Sequence, residues 1–272
     1  MRPSSQARAT AIITGAASGL GRALAVRLAR DGWAIAIADI DATGAEETRR
    51  LVEVAGGEAF FEPLDITEIE QWQALRDRLR KRWEHLDLLV NNAGIGGSGE
   101  VGRFSLDDWR RLIEINLFGG VHGCHTMIDW LKANPRGAHL INTASFAAMA
   151  SAPSMAAYNV AKAGMLALSE TLYAELRPRG VGVTVICPLF FRTNLLAHWP
   201  CMTDAERRAT EFYTENAGFS AENVADAAVR AMKRGRLYVV LGRKARWYWR
   251  MKRLMPQTFL NLIAAKYSRW VR

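Results

Sequence analysis

Tyr158 and Lys162 stand four residues apart in Tyr158-Asn159-Val160-Ala161-Lys162. On a helix that spacing places a phenol and an ammonium on one face. A phenol ionises near ~10, too high for work at neutral pH. An ammonium about 4 Å away, at an effective dielectric of ~20, favours the phenolate by about 4 kcal/mol, or roughly three pKa units. Such a pair can exchange a proton with an alcohol while hydride leaves or joins the carbon. Ser145 lies 13 residues upstream of the tyrosine and offers a hydroxyl for the reacting oxygen. Tyr-x-x-x-Lys alone is common on helix surfaces, so the pair gains meaning only from what surrounds it.

A second group could hold an anion. Thr14-Gly15-Ala16-Ala17-Ser18-Gly19-Leu20-Gly21 joins an apolar run to an amphipathic one. Glycines permit a tight strand-to-helix bend, and the helix start presents free N–H groups to a pyrophosphate. The spacing is Gly-x-x-x-Gly-x-Gly, which differs from the commoner dinucleotide fingerprint. Asp39 closes the next apolar run, 20 residues after Gly19, where a carboxylate can accept from an adenosine ribose and repel a 2′-phosphate. Ser18 and Ile40 stand where a 2′-phosphate would need Arg or Lys. NAD is therefore expected, with NADP as the alternative. Asp39 could instead cap the following helix, although Asp41 is better placed for that.

These residues need a scaffold. Apolar runs at 10–14, 34–39, 59–64, 86–90, 139–143, 181–187 and 237–241 read as strands buried on both faces. Helical patterns near 19–30, 42–55, 68–84, 106–132, 155–176 and 222–234 alternate with them. The alternation predicts an α/β fold: a Rossmann-type, doubly wound parallel sheet of about seven strands in one domain, residues 1–242. Ligands of such sheets sit beyond the carboxyl ends of the strands, which is where Ser145 and Asn91-Asn92-Ala93-Gly94 fall.

The chain resembles the short-chain dehydrogenases/reductases over roughly residues 9–242. The motifs that carry the resemblance are Thr14–Gly21, Asp39, Asp65 in Leu-Asp-Ile, Asn91–Gly94, Asn116, Ser145, and Tyr158 with Lys162. It implies a catalytic tetrad of Asn116, Ser145, Tyr158 and Lys162, with Asn116 holding a water that relays protons from Lys162. It further implies a cofactor site built from Gly15, Ser18, Gly19, Leu20, Gly21, Asp39, Asn92, Gly94, Tyr158 and Lys162. Adenine contacts from Asp65 and Ile66 and a nicotinamide contact from Thr193 follow from the same resemblance. In relatives the helices equivalent to 106–132 and 155–176 form a four-helix interface, so a homodimer or homotetramer is expected. The chain departs from the family at Cys187-Pro188-Leu189, where Pro-Gly is usual, and at Phe146 after Ser145.

Composition narrows the class. Apolar residues make up 50% of the 272, enough for a sizeable core. Three cysteines without CxxC spacing argue against a disulfide framework or a zinc site. His122, His125 and His139 lack a third ligand at suitable spacing, so no metal is expected. The first residues hold no apolar run of signal-peptide length, and a cytoplasmic protein is expected. Side chains of 146–155 and 189–218, among them Phe146, Met149, Met155, Leu189, Phe190, Phe191, Trp199, Met202, Phe212 and Tyr213, are expected to line an apolar substrate cleft. An apolar secondary alcohol or its ketone is the expected small-molecule substrate. A non-catalytic nucleotide-binding scaffold and a membrane-surface protein are the competing classes.

The net charge of +9 resides wholly in residues 243–272, which carry nine basic residues and no acidic one. The neutral remainder gives no reason to expect a nucleic-acid partner. Trp247, Met251 and Leu254 share one helix face, and Phe259, Leu262, Ile263, Tyr267 and Trp270 share another, with Thr258 as a candidate N-cap. Two short basic helices are expected. They would pack on the body or a neighbouring subunit, which is the favoured reading, or make peripheral contact with an anionic membrane.

Overall fold

The computed structural model of the chain describes residues 8–189, 191 and 217–271, with the side chains of 269–271 left aside. Seven parallel strands form one sheet: β1 (Thr10–Thr14), β2 (Ala34–Asp39), β3 (Glu58–Pro63), β4 (Leu88–Asn91), β5 (Ala138–Thr143), β6 (Val181–Ile186) and β7 (Tyr238–Val239). Their order is β3-β2-β1-β4-β5-β6-β7. Every residue of β1 and β4 is buried, so these strands carry no polar alternation and read as unbroken apolar runs. The sequence places all seven strands, with ends differing by up to two residues.

Helices cover both faces. One layer holds α1 (Gly19–Ala29), α2 (Ala42–Val54) and α8 (Ala221–Lys233), whose alanines and leucines close on Ile13, Ile35 and Ile37. The other holds α3 (Ile69–Arg80), α4 (Leu106–Ile113), α5 (Gly119–Lys132) and α7 (Ala156–Leu176). There Trp72, Leu75, Leu79, Met127, Trp130 and Leu172 bury the opposite face of the strands. Trp72 is fully buried and its Nε1–H donates to the Ile66 carbonyl at 3.1 Å, fixing the loop after β3. The turn α6 (Ala147–Ala150) follows β5; with only four residues it is too short to announce itself by periodicity.

The single helix expected over 106–132 is α4 and α5 joined by a π-turn, Glu114–Phe118. Asn116 lies in that turn, with Oδ1 accepting from the Ile95 N–H at 3.2 Å and Nδ2 donating to the Ile95 carbonyl at 2.9 Å. The widened turn thus brings an amide side chain against the loop after β4. Apolar spacing barely changes across one extra residue, so the pattern alone does not reveal it.

The basic segment forms α9 (Arg243–Leu254) and α10 (Pro256–Val271). Pro256 opens α10 directly, because its fixed φ and missing N–H suit a first turn; Thr258 is therefore inside the helix and not its cap. Ala245, Met251 and Phe259 are buried together with Phe146, Met149, Ala150, Val185 and Cys187, so both helices pack on the body. Met251 points inward, whereas Trp247 and Leu254, expected on the same stripe, face outward at 56% and 80% exposure. Phe259 is the most deeply buried aromatic ring in this seam, at 1% exposure. Phe259→Ala should lower unfolding stability by about 3–5 kcal/mol in chemical denaturation. A loss under about 1 kcal/mol would mean that α10 rests on the body without a packed seam.

Candidate active site

The strand order reverses between β1 and β4, where the loops from their carboxyl ends diverge and leave a crevice. A cleft of about 940 Å³ opens there. Thr14 ties its two sides together: its hydroxyl accepts from the backbone N–H groups of Asn92 at 2.9 Å and Ala93 at 3.1 Å. The Asn92 amide in turn donates to the Thr14 carbonyl at 3.0 Å. Gly15 adopts φ +64°, and a Cβ there would lie 2.7 Å from the Ala93 Cα. The turn therefore requires glycine both for its backbone angle and for this close approach.

At one end of the cleft, Gly15, Ser18, Gly19 and Leu20 line the start of α1. Asp41, Ser105 and Ser220 cap α2, α4 and α8 with their side chains, whereas Ser18 leaves the first turn of α1 uncapped. Free N–H groups facing a glycine-lined cavity suit a pyrophosphate. Gly21 faces away from the cleft. A Cβ on it would overlap the Gly15 carbonyl, so the packing of the turn requires glycine there.

Asp39 sits beside this turn. Its Oδ2 accepts from the Ala17 N–H at 2.8 Å and its Oδ1 from the Ile40 N–H at 2.8 Å. Asp41, not Asp39, caps α2 by accepting from the Gly44 N–H at 3.1 Å. Asp39 is left facing the cleft, and Ile40 beside it is 77% exposed. Arg22 is the nearby cation, but its guanidinium is held by the Ala17 and Gly44 carbonyls and by Glu47 at 2.8 Å. Asp65 and Ile66 line the same end, joined by Thr67.

At the other end, Asn92, Gly94, Asn116, Tyr158 and Lys162 converge. Tyr158 and Lys162 are one turn apart on α7, at 7% and 4% exposure. Lys162 Nζ donates to the Thr143 carbonyl at the end of β5, at 3.0 Å, and lies 5.8 Å from the Tyr158 ring centre. A Cβ at Gly94 would come 2.5 Å from Asn116 Oδ1 and 3.3 Å from Lys162 Nζ, so glycine is what lets these groups meet. Ser145 stands beside Tyr158, two residues after β5. Its hydroxyl bonds the phenol and also accepts from the Ala147 N–H at 3.1 Å.

The electrostatics differ from the spacing argument. Burial raises the Tyr158 phenol above its usual value, with only the Ser145 hydrogen bond lowering it. Burial also pushes the Lys162 ammonium down to about 8. Desolvation thus outweighs the attraction between the two groups, because sequence spacing carries no information about depth. Burial thus favours the protonated phenol, and positive charge nearby would favour the phenolate.

The expected apolar wall is only partly in place. Phe191 lines the cleft, while Phe146 and Met149 turn into the seam beneath α9 and α10. Met155 packs with Phe104, Leu112 and Tyr158. Leu189 joins the same seam as Phe146. Thr193, Phe190, Trp199, Met202, Phe212 and Tyr213 lie outside the described residues. His139 is buried, its Nε2 is 2.8 Å from Thr184 Oγ1, and burial holds it down at about 4. Sequence reasoning missed the Thr143 carbonyl and the lining residues Arg111, Glu114 and Ile115. A backbone carbonyl has no residue signature. Arg111 and Glu114 stand five and two residues before Asn116, off its face in a regular α-helix, so spacing gives no signal for them without the π-turn.

The short chain dehydrogenase family model matches residues 9–202. "Probable oxidoreductase EphD" of Mycobacterium tuberculosis is 33% identical over 253 residues, covering 90% of this chain and 43% of the relative, so the chain spans less than half of that protein. 3beta-Hydroxysteroid dehydrogenase 1 of Eggerthella lenta is 34% identical over 80% of this chain and 84% of its own length. A crystal structure of a short chain dehydrogenase/reductase from Burkholderia phymatum in complex with NAD superposes with a TM-score of 0.84 at 30% identity, covering 90% of this chain and 93% of that one. With a family model over residues 9–202, a relative at 34% identity and a matching fold at a TM-score of 0.84, the chain belongs to the short-chain dehydrogenase/reductase family of oxidoreductases.

Proposed function

We propose that the protein interconverts an apolar secondary alcohol and its ketone by hydride transfer with NAD, using Tyr158 as acid and base. The observation that carries this reading is the convergence of Ser145, Tyr158 and Lys162 at one end of a cleft whose other end presents Asp39. The cofactor fits what is present: uncapped N–H groups at α1 for the pyrophosphate, Asp39 for the adenosine ribose, and Asp65 and Ile66 beside the adenine end. Bound there, the nicotinamide supplies the hydride acceptor or donor and, when oxidised, a positive charge.

The residues then divide the work. In oxidation Tyr158 Oη takes the alcohol proton as hydride leaves the carbinol carbon; in reduction it returns that proton to the carbonyl oxygen. Ser145 holds the reacting oxygen by hydrogen bonding. Lys162 keeps a cation beneath the phenol, anchored by Thr143, and Asn116 closes the cavity from the π-turn side. A non-catalytic scaffold would have no use for a buried ammonium beside a buried phenol. The apolar substrate is supported by the Phe191 and Pro188 lining and by the likeness to the Eggerthella relative, a 3beta-hydroxysteroid dehydrogenase.

A homodimer or homotetramer is part of the same reading. Phe118, at the end of the π-turn, and Val160, on α7, are 44% and 53% exposed on packed neighbouring elements. Burying such a patch against its own symmetry mate is the economical solution. Light scattering at micromolar concentration should give two or four subunits, and a monomer would contradict it.

Tyr158→Phe keeps the ring and removes the transferable proton. It should bind NADH as the wild type does while turnover of hydrophobic secondary alcohols falls by at least ~100-fold. Unchanged turnover would remove Tyr158 from the mechanism. Asp39→Ala with Ile40→Arg should shift preference toward NADP(H), since a carboxylate is lost and a cation added at the ribose. Wild-type preference for NADP(H) at equal concentrations would overturn the cofactor assignment.

A further inference from the structure

Exposed large apolar side chains are unevenly spread over the molecule. Trp247, Leu254, Met255, Leu260 and Leu262 lie within 16 residues of each other, at the corner where α9 meets α10, with exposures from 40% to 80%. Monomeric proteins rarely leave such a cluster to water without a partner. Around it, on the same outward face of α9, stand Arg243, Arg246 and Arg250, all exposed. Among the described residues none of these three makes an ion pair. The opposite faces of α9 and α10 are already used, by Ala245, Met251 and Phe259, to pack on the body. The outward faces are thus fixed in place and, among the described residues, unpartnered.

We infer that this corner docks the protein on an anionic lipid bilayer. Charge decides the occupant. Residues 243–272 carry nine basic and no acidic side chains, so a second copy offering the same face would set arginine against arginine. An anionic headgroup layer satisfies the arginines, and the acyl boundary below it takes Trp247, Leu254, Met255, Leu260 and Leu262. No helix among the described residues is long and apolar enough to cross a membrane, so the attachment is to the surface. The docked corner backs on Phe146 and Met149, which follow Ser145. On the reading of an apolar substrate, docking therefore brings the reactive end of the cleft close to molecules dissolved in lipid.

The test is sedimentation of the full-length protein with vesicles, which needs no substrate and so stands or falls separately from the enzymatic reading. Wild-type protein should pellet with phosphatidylcholine vesicles containing phosphatidylglycerol at low salt, pellet poorly with pure phosphatidylcholine, and be released by added salt. Arg246→Glu with Arg250→Glu should weaken binding about tenfold or more. Trp247→Ser with Leu254→Ser should also weaken it, which a general affinity for polyanions would not show. Both pairs are exposed, so their melting temperatures should match the wild type. Wild-type protein that stays in the supernatant would overturn the proposal. So would variants that still pellet fully, or variants that change the subunit number by light scattering and leave vesicle binding untouched.

Discussion

A charged amine buried beside a phenol is the constraint that the rest of this molecule serves. Lys162 is 4% exposed and its ammonium is held down at about 8 by burial, against 10.5 for a free lysine. A depression of that size corresponds to ~3 kcal/mol against the folded state at neutral pH. The unfolded chain binds this proton more tightly, so the penalty is complete below about pH 8 and fades as pH rises towards 10.5. The fold offsets it locally. β5 ends so that the Thr143 carbonyl accepts from Nζ, Gly94 leaves room overhead, and the π-turn brings Asn116 across. A lysine placed for stability alone would lie at the surface.

The nucleotide end and the chemical end are coupled through the sheet. β1 and β4 are neighbours in register, Ile13 opposite Val90, and the Thr14 hydroxyl fastens the loops that follow them. A displacement of the glycine turn would therefore be felt at Asn92 and Gly94, and through Gly94 at Lys162 and Asn116. The organisation of Asp39 by three backbone N–H groups of Ala17, Ile40 and Asp41 ties that carboxylate into the same turn. On the proposed reading, rigid positioning across this span lets a cofactor and a substrate meet at Tyr158.

Much of this was legible in the residues. Strands buried on both faces announce themselves as unbroken apolar runs, and Tyr158, Lys162 and Ser145 are reactive types at spacings that one helix and one strand end can satisfy. The failures share a cause: sequence spacing reports angle about an axis and not depth or direction. It put Trp247, Met251 and Leu254 on one stripe, yet only Met251 turns inward, because α9 had to meet Phe146 and Val185. It also missed the π-turn at Asn116 and gave Tyr158 a lowered proton affinity that burial reverses. Gly21 carries the motif yet faces the Gly15 carbonyl, since a turn needs room behind it as well as in front.

On the proposed reading, burial keeps Tyr158 protonated and positive charge in the cleft turns it into a base. Tyrosinate absorbance measured against pH tests this most directly, with the Tyr158→Phe protein subtracted to isolate one phenol. In the free protein the Tyr158 signal should appear above pH 10, and in the presence of saturating NAD its midpoint should move down. A midpoint already below 10 in the free protein, or one that NAD leaves where it is, would contradict the account.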